Sequence, residues 1–293
     1  MTRSTQDPCR PSVIGLVACL FALFACAPAP SSEPLTLEEA TPVPAVELAT
    51  LEPGAKWALF TAGSTRLRGA NLHPCSIFGE QGDCIQEITL EDVQALRDAG
   101  ANLIHASYPG IYTVDAPFQV DEVNLTYLDN LIRWAEQADI YVIITYRAGP
   151  GRDEGVFSSL AGANRTVWDS QEAQDAWADM WRFTAERYKD SPVVVGYDLL
   201  TEPTVNTLID PSSNRSPQDV AASAAGTTRD WNRFAANLIS AIREVDQQTP
   251  IIVDAMNWAG LEWLPALRIF DDPYVAYGVH IYDPDLYLSL IHI

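Results

Sequence analysis

From Trp57 onward the apolar positions alternate between two regimes. Short, continuous apolar runs at Asn102 to Ala106, Ile140 to Thr145, Val193 to Leu200, Ile251 to Ala255 and Val275 to Ile281 read as buried strands. Trp57 to Phe60 and Arg66 to Leu72 precede them as two further strands, with Gly63-Ser64 as a hairpin turn. Between the runs the apolar residues take helical spacing. Leu90 to Ala99 opens on a Thr89/Asp92 capping box and closes at Gly100. Leu125 to Ala138 follows, then a helix capped by Ser170 and running to Tyr188, with Trp177, Trp181 and Tyr188 on one side. Asp230 to Val245 is strongly amphipathic, and Leu261 to Leu267 is a shorter helical piece. The stretch holding Gly149, Gly151 and Gly155 reads as a long loop, and the one holding Pro211 and Pro217 as a polar loop. Strict alternation of apolar strands with helices predicts an α/β fold, a parallel sheet covered by helices. A doubly wound sheet and a closed (β/α)8 TIM barrel both fit, with six parallel strands visible.

The N-terminus is patterned differently. Arg3 and Arg10 precede an apolar stretch, Val13 to Ala25, that is too short to span a bilayer comfortably and has the form of a signal segment. It ends Leu23-Phe24-Ala25-Cys26, which resembles a bacterial lipobox with Cys26 as the lipidated residue; an ordinary cleaved signal and a retained anchor are the alternatives. Residues 1–26 are thus expected to be an export signal and 27–53, rich in Pro, Ala, Glu, Ser and Thr, a flexible tether. Residues 54–293 form the folded domain, exported, anchored through its lipid to a bacterial membrane and monomeric. Cys75 and Cys84 are the two cysteines of that domain, and in an exported chain their spacing predicts a disulfide. A metal reading that adds His73 lacks a second nearby His.

Composition narrows the function. The chain has 293 residues, 47% of them hydrophobic, enough for a sizeable core. It carries 39 acidic against 18 basic side chains, a net charge of −21, which repels phosphate backbones and argues against nucleic-acid binding. Four histidines leave little for a multi-His metal site, and no metal or organic cofactor is expected. The loop Gly149 to Gly155 lacks the Lys-Ser/Thr of a phosphate loop, and no Gly-x-Ser-x-Gly or His-Glu-x-x-His motif occurs.

The chemistry gathers at the strand ends, where an α/β barrel carries its site. In order, these hold Asn71 and His73; His105, Ser107 and Tyr108; Tyr146 and Arg147; Thr201-Glu202-Pro203; Asp254, Asn257 and Trp258; His280 and Tyr282. Glu202 follows the most apolar strand. A carboxyl in such a dry mouth can hold its proton long enough to act as a general acid, while pairing with Arg147 or Arg152 is the structural alternative.

Arg68-Gly69-Ala70-Asn71-Leu72, Gly196-Tyr197-Asp198-Leu199-Leu200-Thr201-Glu202-Pro203 and Val279-His280-Ile281-Tyr282, in this order, resemble glycoside hydrolase family 5, the cellulase and mannanase relatives among the retaining (β/α)8 barrels. The resemblance runs from about Trp57 to Asp285. It implies a retaining hydrolase of β-linked glucan or mannan with Glu202 as acid/base, His280 and Tyr282 lining the cleavage subsite and Trp258 as a stacking platform. Thr201, Arg147, Tyr108 and Asn71 join them as candidate substrate contacts. Two departures stand out: Thr201 occupies the place of the family's Asn, and His105 and Tyr146-Arg147 stand where the family carries Arg and His. The family's nucleophile is a Glu on strand 7, and the last Glu here is Glu262. The sequence is therefore expected to be a barrel truncated after about six strands, unstable and inactive as written. A noncatalytic carbohydrate-binding lipoprotein on the same barrel and an unrelated barrel hydrolase or isomerase are the rival readings.

Overall fold

The computed structural model describes residues 54–63, 65–78, 84–158 and 162–282, all within one compact unit, Thr41–Ile293. The expected signal, Cys26, the tether, Ser64 of the expected turn and the stretch after Tyr282 lie outside the described residues.

Six strands, β1 (Gly69–Leu72), β4 (Leu103–Tyr108), β5 (Tyr141–Tyr146), β6 (Val194–Asp198), β7 (Ile251–Asp254) and β8 (Val275–Gly278), form one parallel sheet in that order. A separate antiparallel pair, β2 (Cys75–Phe78) and β3 (Cys84–Glu87), stands between β1 and the first crossover helix. The crossovers carry α2 (Leu90–Asp98), α3 (Glu122–Ala138), α4 (Gln171–Tyr188), α5 (Asn206–Ile209), α6 (Pro217–Ala224) and α7 (Trp231–Arg243). Their starts follow local chemistry. Thr89 and Asp92 form the reciprocal capping box on α2, while Asp121, Ser170, Ser216 and Asp230 each accept a backbone N–H at a helix start.

Side chains one apart on a strand point to opposite faces. Ile104, Ala106, Tyr108, Val142, Ile144, Tyr146, Val194, Tyr197, Ile251 and Val253 form the main core together with residues of α2, α3, α4 and α7. The crossover helices thus cover one face only, the arrangement of a barrel wall rather than of a doubly wound sheet. The opposite parity makes a small inner cluster of Tyr141, Ile143 and Val195, against which Leu59, Phe60, Leu67, Leu103 and Ile252 pack. A bulge at the Val142/Ile143 register makes Val195 the extra residue of β6, so Val194 and Tyr197, three apart, both face the helices while Val195 faces inward.

Two elements differ from expectation. Trp57 to Phe60 is not a strand but part of α1 (Ala55–Thr61), preceded by the left-handed Gly54. Four apolar residues carry no usable period, and here packing decides: Leu59 and Phe60 lie against the inner cluster and close the N-terminal end of the sheet. The loop around Pro217 contains α6, with Ser216 as cap and Pro217 in its first turn, a helix-start signal in a segment otherwise read as loop.

Four tryptophans, Trp168, Trp177, Trp181 and Trp231, are among the largest fully buried side chains. Three of them carry polarity into the helix layer in a useful way. Trp177 Nε1 donates to Pro150 O at 2.8 Å, Trp181 Nε1 to Leu199 O at 2.9 Å and Trp231 Nε1 to Asp254 O at 2.9 Å. Each bond satisfies a buried N–H and tethers backbone next to the C-terminal strand ends.

Candidate active site

The inward parity at the C-terminal strand ends is polar, and its side chains find one another. Asn71 Oδ1 lies 2.5 Å from His105 Nδ1, and His105 Nε2 lies 3.0 Å from Asp198 Oδ2. Thr145 and Thr201 pair their hydroxyls at 2.9 Å. His280 Nδ1 lies 2.7 Å from Glu202 Oε1, and its Nε2 lies 3.6 Å from Asp254 Oδ2. One layer of side chains from β1, β4, β5, β6, β7 and the segment after β8 is thus knit together across the mouth.

Glu202 is the carboxyl of this layer with access to solvent, its side chain 15% exposed against 2% for Asp198 and Asp254, and it is held by His280. Its backbone has φ 53, left-handed for a residue that is neither Gly, Asn nor Asp. Its N–H donates to Asp254 Oδ2 at 3.3 Å, and its carbonyl accepts from Arg152 Nη2 at 3.1 Å. The hydrogen bond to Glu202 holds the His280 imidazole above its ordinary range against burial, with the carboxylates of Asp254 and Asp198 adding to it. Burial first, and then the neighbouring Asp198 charge, pushes Asp254 well above the carboxylate range. Asp254 therefore favours its protonated form, and His280 directs its charge chiefly to Glu202.

Beside this layer stands a wall of aromatic and guanidinium groups. Arg147 lies over the Phe157 ring at 3.7 Å and Arg152 at 4.9 Å from it, within cation–π range. Arg147 also bonds Glu154 at 2.9 Å. Trp258 meets Phe157 edge-on at 6.0 Å and is half-buried. It stands in α8 (Met256–Ala259), where Asn257, Trp258 and Ala259 all have positive φ. Asn257 is held on both sides, accepting from Asn206 at 3.0 Å and donating to Glu262 at 3.2 Å.

Of the residues singled out from sequence, Glu202, His280, Asn71, Arg147 and Trp258 stand around the inward mouth, and Tyr282 lies at its margin, 62% exposed. Two are placed otherwise. Tyr108 shares the parity of Ile104 and Ala106, faces the helices and is 1% exposed, so it is a core residue and not a substrate contact. Thr201 is 3% exposed with its hydroxyl turned to Thr145, which withdraws it from a bound sugar. Cys75 is disulfide-bonded, whereas the side chain of Cys84 lies outside the described residues. His73 is brought down to about 4 by burial and then by the Arg147 charge, so its imidazole is neutral near pH 7. Among the described residues no group of three or more His, Cys, Asp or Glu side chains could hold a metal ion.

Three participants have no site role in the sequence reading: Asp198, which stands inside a quoted motif, Arg152, named only as an ion-pair alternative for Glu202, and Phe157. Asp198 was recoverable, because it stands at the inward end of β6, four places before Glu202. Arg152 and Phe157 come from the irregular loop after β5, where no periodicity reveals direction.

The comparisons agree with this geometry. Residues 61–289 match the family model Cellulase (glycosyl hydrolase family 5). Endoglucanase C of Acetivibrio thermocellus is 25% identical over 67% of this chain and 51% of its own length. A probable glucan 1,3-beta-glucosidase A of Aspergillus fumigatus is 31% identical over 57% of this chain and 36% of its own. The chain thus spans about half the length, or less, of these relatives. Among solved structures, endoglucanase Cel5A from Thermotoga maritima superposes with a TM-score of 0.55 at 19% identity, over 75% of this chain and 61% of that one. The six-stranded parallel sheet, its one-sided helical cover and the match over residues 61–289 place the chain on the (β/α)8 barrel and in glycosyl hydrolase family 5.

Proposed function

We propose that this chain carries the acid/base half of a retaining glycoside hydrolase acting on a β-linked glucan or mannan. One observation carries the reading: the Glu202 carboxyl stands at the inward mouth of the sheet, partly open to solvent, with its backbone and its carboxyl each bound by a different neighbouring segment. In the first step the proton held in the His280–Glu202 hydrogen bond resides on the Glu202 carboxyl, leaving the imidazole neutral, and passes from Glu202 to the departing glycosidic oxygen. In the second it takes a proton from water. His280, hydrogen-bonded to the same carboxyl, fixes its orientation. Phe157, Trp258 and Arg147 supply apolar and cationic surface beside it for sugar rings.

Retention needs a second carboxylate about 5–5.5 Å from the first, acting as nucleophile. Asp198 and Asp254 are 2% and 1% exposed and already hold His105 and the Glu202 N–H, so neither is free to attack a sugar. The reading assigns that role to a Glu on a further strand that these 293 residues do not include, the last Glu here being Glu262. It also keeps the domain outside the cytoplasm, lipid-anchored at Cys26 and monomeric; the disulfide at Cys75 supports an oxidising compartment.

The test, made on a polypeptide extended to include that further strand and its Glu, is hydrolysis of β-glucan, β-mannan and an aryl β-glycoside with a good leaving group. Glu202→Gln is expected to lower turnover of the polysaccharides by about 10²–10⁴-fold and that of the aryl glycoside much less, since its leaving group needs no proton. A Glu202→Gln variant that keeps its polysaccharide activity overturns the assignment. The burial of Thr201 favours a second reading, a carbohydrate binder without turnover. Calorimetric binding of oligosaccharides with no hydrolysis by any variant would select it.

A further inference from the structure

Glu202 breaks two local rules at once. It is a non-glycine residue with φ 53, and it precedes Pro203, a position that steric contact with the proline ring pushes toward extended backbone. Such a conformation persists only where the surroundings over-determine it. We propose that Arg152 is the positioning residue that does so, clamping the Glu202 peptide to the end of β5 and thereby aiming the carboxyl at His280 and the cleft. The proposal rests on the acid/base reading of Glu202.

Arg152 is fully buried, and among the described residues no carboxylate forms an ion pair with it. Its Nη1 donates to Arg147 O at 2.6 Å and its Nη2 to Glu202 O at 3.1 Å, while its Nε has no hydrogen-bond partner among the described residues. Burying a cation without a contacting carboxylate is costly, and the Glu154 and Glu202 charges nearby offset that burial only in part. The geometry shows what the guanidinium does there. Its planar fork bridges two carbonyls from two separate strand ends, which a single ammonium on a flexible stem cannot reproduce. The segment that presents Arg152 is rigid. Gly149 and Arg152 exchange both backbone hydrogen bonds at 2.8 and 2.9 Å, and Trp177 bonds the intervening Pro150 carbonyl. Gly151 has φ 68, and a Cβ there would lie 2.7 Å from Val167 N, so the turn accepts only glycine. The Phe157 ring covers the guanidinium.

His280 offers a reporter that does not depend on catalysis. The charged groups facing it are Glu202 and Asp198 from β6 and the segment after it, and Asp254 from β7, with Glu202 the strongest influence. The full chain has four histidines, so its imidazoles can be followed individually by NMR titration. Glu202→Gln calibrates the response: the His280 midpoint falls toward the ordinary imidazole value. Arg152→Met is expected to lower that midpoint by at least half as much, because the carboxyl swings away from Nδ1. Arg152→Lys should lower it by less. The sign separates positioning from bare electrostatics, since deleting a nearby cation without moving Glu202 would raise the His280 midpoint. A midpoint that is unchanged or raised in Arg152→Met, with the His105 signals still in place, overturns the proposal. Should Arg152→Met fail to fold, Arg152→Lys decides in its place: a fall supports the clamp, and no change or a rise overturns it. Loss of the acid/base reading would show separately, as polysaccharide hydrolysis surviving in Glu202→Gln.

Discussion

His105 and His280 are equally exposed, 21% each, and each ties strand ends together on the same inward layer, yet they are wired differently. His105 stands between the Asn71 amide and Asp198, whose side chain is 2% exposed. Neither partner is an acid that a substrate can reach. His280 stands between Asp254, also buried, and Glu202, the one carboxyl of the group open to the mouth. Because burial favours the protonated form of Asp254, the His280 charge is matched mainly by Glu202. A histidine whose acidic partner is buried, like Asp198, ties the sheet together. One whose main partner faces the cleft controls a group that can react.

The contrast can be broken at either histidine. His105→Leu leaves the buried Asp198 carboxyl without the hydrogen bond it receives from the imidazole, and a buried group left unsatisfied costs up to about 3 kcal/mol. Urea unfolding should show a loss of this size; a loss under about 1 kcal/mol would make His105 as dispensable as a surface residue. His280→Leu is expected to cost less, because the Glu202 carboxyl it leaves is open to solvent, and to do so in a pH-dependent way. The folded-state value of His280 is raised above its unfolded one. Its stabilising contribution is therefore fully present below the unfolded value near 6.5 and is lost as pH rises through the folded one. Melting curves of the two chains should accordingly converge on the alkaline side. A gap independent of pH would contradict the Glu202 pairing.

The smallest effect concerns Asp254, and it sharpens the comparison. Its folded-state value lies above its unfolded one, so its contribution is complete below about pH 4 and declines as pH rises toward the folded value. Asp254→Asn keeps an oxygen for the Glu202 N–H but cannot ionise. Its stability should fall less steeply with rising pH above that point. Parallel curves for the two chains would show that Asp254 is not held protonated.

Much of this architecture is legible in the sequence, for identifiable reasons. The strands are apolar on one parity and polar at the C-terminal end of the other, and helix starts such as Thr89, Ser170 and Asp230 announce themselves by caps. Glu202 and His280 stand out because they follow such strands directly. Tyr108 is misassigned as a substrate contact when proximity to a strand end is weighed without parity, which places it with Ile104 and Ala106 under the helices. Trp57 to Phe60 is too short to show a period, and its helix exists because the inner cluster needs covering. Arg152 enters the sequence reading only as an ion-pair alternative for Glu202, and the main-chain clamp it forms instead is not legible there. Its partners are two main-chain oxygens, 5 and 50 residues away, and nothing in the identity of Arg147 or Glu202 reveals that their carbonyls would be bound.

The helix α1 has a consequence for traffic. By packing Leu59 and Phe60 against Tyr141, Ile143 and Val195, it covers the inward face at the start of β5 and β6, so the polar layer that holds Glu202 is approached from the C-terminal strand ends and not from beneath.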